Sequence, residues 1–490
     1  MRTLLVTIPN NMEEISGRAR EVITPVEPFG LMYIASVLES RGREVEILDA
    51  FALDLDVAAT VRAIADTAPD IVGLSCLTIH AHLALELIRA IRVSHPDRTP
   101  LIVAGNAHAD LFATHFLQAG LADVVVHGEG ELVMAALVDA YEQGADFADV
   151  PGISYRTPAG AIVRTAPAAP IADLDALPLP ARHLVPMDRY RMSFYWGPQP
   201  SDPRRYKGMF TSRGCPYHCT FCTVHRSRSL RFHSVGRVMQ ELRLLVEEHG
   251  AEYVFFLDSC FMCSRSRVTE LCDAIIESGL RFRWGCEGRV NLAAAHPELL
   301  HLMHRAGCVQ VAYGIESGVQ SLLDRVGKDC TLQQIDEAIN HTVAAGIGPV
   351  GLFILGLPGE TPEMTDETIR LSLSHPFVFA QYAILTPFPG TEIHDELVAA
   401  GRIDPMDWSR YSQYAAFTDV SPIYVPDGYD PALLLEKQRR AIQRFFFRPA
   451  VMLRHLQGIR PANVRQYLGA ARTLLGWFGG FHRSSRGTKK

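Results

Sequence analysis

Three cysteines stand closest to chemistry in this chain. In Thr211-Ser-Arg-Gly-Cys-Pro-Tyr-His-Cys-Thr-Phe-Cys-Thr223 they are Cys215, Cys219 and Cys222, spaced C-x3-C-x2-C. Three thiolates at separate irons of a [4Fe–4S] cluster leave the fourth iron open to another ligand. Zinc is the competing reading. It asks for a fourth cysteine or histidine at matched spacing, and His218 and His225 are close in sequence. A further pair, Cys260-Phe-Met-Cys263, has the spacing of a redox pair or of ligands to a second cluster. Cysteines outside such sites are mostly small buried hydrophobes.

The elements that must position these residues alternate strand and helix. Strand-like apolar runs at 3–8, 45–48, 71–76, 101–104 and 123–126 are separated by helical patterns at 31–40, 57–66, 83–94, 110–118 and 131–142. That alternation predicts an α/β domain over 1–150 with a doubly wound, Rossmann-like parallel sheet. Such sheets bind ligands beyond the carboxyl ends of their strands. There the loops Ala104-Gly-Asn-Ala-His108 and His127-Gly-Glu-Gly-Glu131 carry glycines that allow close approach. A hairpin over 151–164 and a Pro-rich linker to about 205 follow. A second series predicts six strands, at 209–212, 253–257, 283–286, 309–315, 350–355 and 379–385, each followed by a helix except the last. It reads as a partial (β/α)6 barrel over 206–395 with the cysteine loop at its carboxyl end, where barrels place their sites. Residues 396–490 read as a helical region.

Length and composition fit this division. A chain of 490 residues with 48% hydrophobic and 21% charged residues implies a globular protein of two or three domains. Ten cysteines without a secretory signal predict a reducing cytoplasm. The net charge of −7 hides an asymmetry: residues 437–490 hold 13 Lys or Arg and no Asp or Glu, which leaves 34 basic against 54 acidic residues before them. Arg444-Phe-Phe-Phe-Arg-Pro449 and the segment 467–478 interleave cations with aromatics and leucines. This pattern suits a peripheral contact with anionic lipid headgroups. A solvated helix packed on the acidic body is the plainer alternative. No nucleic-acid partner is expected, because no RNA-binding module is visible elsewhere.

The cysteine spacing, with Phe221 just before the last cysteine, resembles the radical S-adenosylmethionine (SAM) superfamily. More of residues 206–390 matches. Tyr313-Gly-Ile-Glu-Ser-Gly318 resembles the segment that contacts the ribose and amino-acid part of SAM, with Glu316 as the polar contact. Gly356-Leu-Pro-Gly-Glu360 resembles the turn near the adenine, and Phe221 its stacking edge. Asp258 ends the second strand, where the family carries contacts to the methionine moiety; Arg289 ends the third and is placed to meet a carboxylate. The resemblance implies that SAM chelates the open iron and is cleaved to methionine and a 5′-deoxyadenosyl radical.

The first domain resembles the cobalamin-binding domain fused to many of these enzymes. The resemblance rests on Pro28-Phe-Gly-Leu-Met-Tyr-Ile-Ala-Ser-Val-Leu38, Val72-Gly-Leu-Ser-Cys-Leu-Thr78 and Val126-His-Gly-Glu-Gly-Glu131. It implies cobalamin contacts from Asn106, His108, Gly128, Glu129 and Gly130. One departure is clear. Mutase-type proteins carry D-x-H-x-x-G after the first strand, whereas this loop reads Pro9-Asn-Asn-Met-Glu-Glu14 and the first histidine is His80. No histidine of that loop ligates cobalt, and segment 76–80 is expected to face that side. The implied activity is methylation of an unactivated carbon, and the basic aromatic tail favours an apolar, hopanoid-like lipid substrate. A reductant such as flavodoxin or ferredoxin is the implied electron source. An anaerobic oxidative cyclase acting on a tetrapyrrole, and a non-catalytic cobalamin or SAM sensor, are the alternatives.

Overall fold

The computed structural model describes residues 1–9, 25–94, 99–191, 200–226, 229–411, 421–465, 467–469 and 471–472. The first domain contains β1 (Arg2–Thr7), α1 (Phe29–Ser40), β2 (Glu44–Leu48), α2 (Val57–Thr67), β3 (Ile71–Ser75), α3 (Ala81–Ser94) and β4 (Leu101–Gly105). Two short helices, α4 (Asn106–Leu111) and α5 (Ala113–Gln118), lead to β5 (Val124–Val126) and α6 (Gly130–Gln143). The strand order is β2-β1-β3-β4-β5, all parallel. Central strands such as β3 are buried along almost their whole length, which is why they read as unbroken apolar runs.

The hairpin is not part of a free linker. Its strands β6 (Ile153–Arg156) and β7 (Ile162–Arg164) extend the same sheet antiparallel, so the sheet has seven strands and the domain runs past residue 150. They cover β5, which would otherwise present an open edge. The Pro-rich segment is likewise anchored. Arg182, 2% exposed, donates to Glu27 (3.2 Å), Glu241 (2.7 Å) and the Gly208 carbonyl (2.8 Å). A buried guanidinium is tolerated because carboxylates from both domains surround it.

The second sheet is fully parallel. In chain order its strands are β8 (Tyr206–Met209), β11 (Tyr253–Phe256), β12 (Arg283–Gly288), β13 (Cys308–Glu316), β14 (Gly348–Leu355) and β15 (Phe379–Ile384), and their spatial order is the same. Between β8 and β11 a two-stranded antiparallel ribbon, β9 (Ser212–Arg213) with β10 (Arg231–Phe232), precedes α7 (Val235–Arg243). The helices α8 (Arg265–Ser278), α9 (Pro297–Arg305), α10 (Gln320–Arg325), α11 (Leu332–Ala344) and α12 (Pro362–Ser374) follow successive strands. The first strand was expected at 209–212 but ends at Met209. Beyond it, Thr211 and Ser212 turn their N–H groups to a side chain of the neighbouring strand's end instead of continuing the ladder.

The C-terminal region closes the open edge. Its helices are α13 (Glu392–Ala399), α14 (Pro431–Phe446) and α15 (Pro449–Gly458). The Gln438 amide donates to the Tyr382 carbonyl of β15 at 2.7 Å, and Lys437 pairs with Asp366 of α12 at 2.6 Å. A separate apolar seam joins the two domains: Leu385, Ile393, Leu397, Ile403, Trp408 and Tyr424 are buried in one cluster with Leu83, Leu87, Phe116 and Leu117 of the first domain. None of the described helices is long and apolar enough to cross a membrane.

Candidate active site

The cysteine loop leaves β9 and is tied at several points. Asp258, just beyond β11, is fully buried and accepts hydrogen bonds from Thr211 N (2.7 Å), Ser212 N (2.8 Å) and the Thr211 hydroxyl. Burial pushes its carboxyl up, against these bonds and the nearby Arg267. Asp258 was expected to meet the methionine moiety of SAM. Its oxygens instead hold the strand that leads into the loop, so it acts on the site through the backbone. Arg267 of α8 completes the grip by donating to the Thr211 carbonyl (2.9 Å) and stacking on Phe232. Further along, Thr220 N bonds the Val326 carbonyl and Cys222 N the Cys219 carbonyl, each at 3.0 Å.

Cys219 is buried while Cys215 and Cys222 are partly exposed. Among the described residues no three His, Cys, Asp or Glu side chains converge on one metal ion. A cubane takes its thiolates at separate irons and therefore asks for wider spacing, so three cysteines on one anchored loop fit it. Arg289, beyond β12, donates to Cys219 Sγ (3.5 Å) and to the Lys328 carbonyl, and lies 3.5 Å over the Tyr217 ring. In this arrangement it steadies the cysteine loop, where the sequence suggested a cation open to a carboxylate.

Charged groups gather beside it. Glu316 has a left-handed backbone (φ 63°) and pairs with Lys328 at 2.7 Å, both side chains being more than nine-tenths buried. Burial works against the charge of Lys328, and Glu316 and Cys219 together more than restore it. The pair lies over Gly314: a Cβ there would sit 2.6 Å from Lys328 Nζ and closer still to Glu316. Glu287 of β12 is pushed up to about 7, by burial first and by Glu316 next. A cradle of opposed charges fits the amino and carboxylate groups of an amino acid. At the end of β14, Gly356 N and Leu357 N bond Glu360 Oε2 at 2.8 and 2.7 Å, and Thr365 bonds Oε1 at 2.5 Å. The Gly356 amide thus holds the turn, and a Cβ on Gly356 would meet Leu434. Phe221 is half-buried against the interdomain seam.

Adjoining the loop lies a cleft of about 410 Å³. On one side it is lined by the carboxyl ends of β3, β4 and β5, including Asn106, Gly128, Glu129 and Gly130, and on the other by Phe210, Ser212, Arg213, Gly214 and Ser259. Its deeper part is apolar, between Leu5, Ile34, Val103, Val126 and Met134. A Cβ on Gly130 would come 3.1 Å from Ile34, so glycine keeps the mouth open. This glycine-rimmed, apolar-floored cleft fits a bulky cofactor. Two expected contacts behave differently. His108 is fully buried, held by Thr78 (3.3 Å) and by Phe112, Phe116 and Trp408, and burial pushes it down to about 4. It is a core residue outside the cleft lining. The Glu129 carboxylate is taken by Arg213, Arg231 and Ile171 N. Of segment 76–80, Cys76 is fully buried, and neither it nor His80 lines the cleft. Residues 10–14 of the first loop, where a cobalt-ligating histidine is lacking, lie outside the described residues.

One further grouping escaped the sequence reading. His127 joins Asp110 (2.6 Å) and Ser154 (2.8 Å) in the order of a hydrolase relay. Ser154 is buried at 4% within the β6 ladder, so the relay anchors the Gly128–Glu131 turn and offers no exposed nucleophile. Cys260 and Cys263, whose spacing suggested a redox pair or ligands to a second cluster, form a disulfide with each other.

The comparisons agree with this geometry. The radical SAM superfamily matches residues 209–372, and the B12 binding domain matches 16–138. An uncharacterized methyltransferase of Pyrococcus horikoshii is 30% identical over 460 residues, covering 93% of this chain and 95% of that one. The anaerobic magnesium-protoporphyrin IX monomethyl ester cyclase of Rubrivivax gelatinosus is 30% identical, covering 87% and 74%. The hopanoid C-3 methylase of Methylococcus capsulatus is 27% identical, covering 76% and 69%. The radical SAM methyltransferase TsrM of Kitasatospora setae, solved with cobalamin and a [4Fe–4S] cluster, shares the fold with a TM-score of 0.66 at 19% identity, over 94% of this chain and 89% of that one. With its cysteine loop adjoining its cleft, this chain belongs to the cobalamin-binding radical SAM enzymes, whose cofactors are a [4Fe–4S] cluster, SAM and cobalamin.

Proposed function

We propose that this enzyme methylates an unactivated carbon of an apolar, polycyclic lipid of hopanoid-like character. The observation that carries the reading is the shared wall: Ser212, Arg213 and Gly214 line the cleft, and the next residue is Cys215. When bound, the cofactors supply a radical and a methyl donor, chemistry that no side chain provides. The chain's task is placement. Cys215, Cys219 and Cys222 hold three irons; Glu316 and Lys328 receive the amino-acid part of SAM, with Phe221 and the Gly356 turn toward its base. Asn106, Gly128 and Gly130, with the backbone of Glu129, hold cobalamin. A reductant such as flavodoxin or ferredoxin provides the electron.

The lipid part of the reading rests on the C-terminal helices. Met452, Leu453 and Leu456 of α15 are 44%, 57% and 62% exposed, and Leu468 is 52% exposed. Arg454, Arg460 and Arg465 accompany them, and no acidic residue lies between Lys437 and the C-terminus. Apolar residues flanked by cations favour an anionic membrane surface, which is where an apolar lipid resides. The similarity to the cyclase supports a second reading, oxidative chemistry on a tetrapyrrole.

One assay separates them. The reconstituted enzyme receives cobalamin, reductant and methyl-deuterated SAM under anaerobic conditions, with bacterial lipid extract or a porphyrin ester. Mass spectrometry then counts 5′-deoxyadenosine, S-adenosylhomocysteine and labelled product. Both nucleosides with label in a lipid are expected. Deoxyadenosine without homocysteine on the porphyrin favours the cyclase, and label in neither substrate overturns the lipid assignment.

A further inference from the structure

The ribbon that launches the cysteine loop contains an electrostatic conflict. Its strands are two residues long, and their register sets Arg213 directly opposite Arg231. Like charges directly opposed across an antiparallel pair are destabilising. Two carboxylates from the other domain relieve the conflict. Arg213 donates to Glu129 (3.1 Å) and Glu131 (2.6 Å) and lies 5.2 Å over the Tyr33 ring. Arg231 donates to both oxygens of Glu129, each at 2.9 Å. The side chains of Arg213, Arg231 and Glu131 are 20%, 13% and 6% exposed. Charge-assisted, partly buried pairs of this kind are strong and geometrically demanding.

Glu129 and Glu131 belong to the turn whose glycines rim the cleft, and Arg213 precedes Cys215 by two residues. The turn at the cleft and the base of the cysteine loop are therefore one electrostatic unit. Whatever orders Gly128–Glu131 from the cleft side fixes the carboxylates, settles the ribbon and thereby holds Gly214 and Cys215. We propose that Arg213 is a positioning residue that couples cobalamin in the cleft to the geometry of the cluster-binding loop, each cofactor strengthening the hold on the other. The inference rests on the cleft being the cobalamin site. Reciprocity is required thermodynamically, because a coupling between two binding equilibria acts equally in both directions.

The test uses the full-length chain with and without its reconstituted cluster. Cobalamin affinity is read from the corrinoid absorption bands, and the electron paramagnetic resonance spectrum of the reduced cluster is recorded before and after cobalamin is added. In the unaltered protein the cluster is expected to tighten cobalamin binding on the order of tenfold, and cobalamin to shift the cluster signal. Arg213→Gln should bring the affinity ratio close to one and abolish the spectral shift, while Arg213→Lys restores part of each. Glu129→Gln, at the other end of the contact, should reproduce the uncoupling even if Arg213→Gln folds poorly. A ratio of one in the unaltered protein, or an unchanged ratio in both Arg213→Gln and Glu129→Gln, overturns the proposal. Gly130→Leu separates the two levels: if it leaves cobalamin binding intact, the assignment of the cleft fails instead.

Discussion

Replacing Gly314 by alanine adds one methyl group beside the Glu316–Lys328 pair. The new Cβ would lie 2.6 Å from Lys328 Nζ. Ordinary contact is about 3.5 Å, so the ammonium must withdraw by roughly 0.9 Å. It has little room, because both partners are more than nine-tenths buried and the Glu316 backbone already sits at φ 63°. Overpacking typically costs about 1–3 kcal/mol, and separating a buried ion pair by loss of a partner about 3–5 kcal/mol. A displaced but surviving pair falls between them, at about 2–4 kcal/mol. That corresponds to a melting point lowered by about 5–15 °C for a domain of the barrel's size. If the pair also receives SAM, affinity should fall about 30-fold or more, as 2 kcal/mol implies. Differential scanning calorimetry of the cluster-free protein and equilibrium dialysis with labelled SAM read the two effects. Gly236→Ala is the control: it lies in the first turn of α7, and the nearest atom to its Cβ would be Ser234 Oγ at 3.9 Å. It should be neutral or slightly stabilising, since alanine loses less backbone entropy than glycine. A Gly314→Ala protein that melts and binds SAM like the unaltered one would refute the reasoning about the cradle.

Cys219→Ala should abolish cluster absorbance near 400 nm, the charge-transfer region of iron–sulfur thiolates, and SAM cleavage with it; cobalamin should remain bound, weakened by no more than the coupling described above. Asp258→Ala removes the Oδ1 that accepts both the Thr211 and the Ser212 N–H; at about 1–3 kcal/mol for each buried donor left unsatisfied the fold loses about 2–6 kcal/mol, and iron content after reconstitution should fall. Burial pushes Glu360 up to about 7, so the folded state binds its proton more tightly than the unfolded chain does. Its contribution therefore makes stability fall as pH rises from about 4.5 to 7, and urea titrations of Glu360→Gln should show a flatter profile in that window. Leu453→Glu together with Leu456→Glu should remove sedimentation with vesicles rich in anionic phospholipid while leaving cofactor binding unchanged, and retained sedimentation would count against the lipid surface.

Much of the scaffold was legible because parallel strands buried on both faces are unbroken apolar runs, and because the cysteine spacing is itself a chemical statement. What the linear order concealed is how strand ends turn. Asp258 reads as a polar group facing a ligand, yet the neighbouring β8 ends near Thr211 and Ser212, whose free N–H groups claim it. His108 reads as a ligand in a glycine-rich loop. Its spacing to Phe112 and Phe116 was the available signal: residues four apart on consecutive short helices stack on one face, and that face is core. The contacts of Arg182 with Glu27 and of Arg213 with Glu129 span 155 and 84 residues. No local pattern announces a partner so distant, and a Pro-rich stretch without periodicity gives no hint that one of its arginines is buried.

The apolar seam around Trp408 bears on how such enzymes can be rebuilt. Two modules that match separate families invite recombination, one cofactor domain exchanged for another. Here the residues that join them lie beyond both matched regions, in Leu385–Tyr411 and at Ile423 and Tyr424, and contribute to the same buried cluster as Phe116 and Leu117. A transplanted first domain would have to present a matching surface to that segment, and a barrel expressed alone would carry an uncovered greasy strip prone to self-association. The unit of exchange is therefore the domain together with the stretch after β15 that fits it.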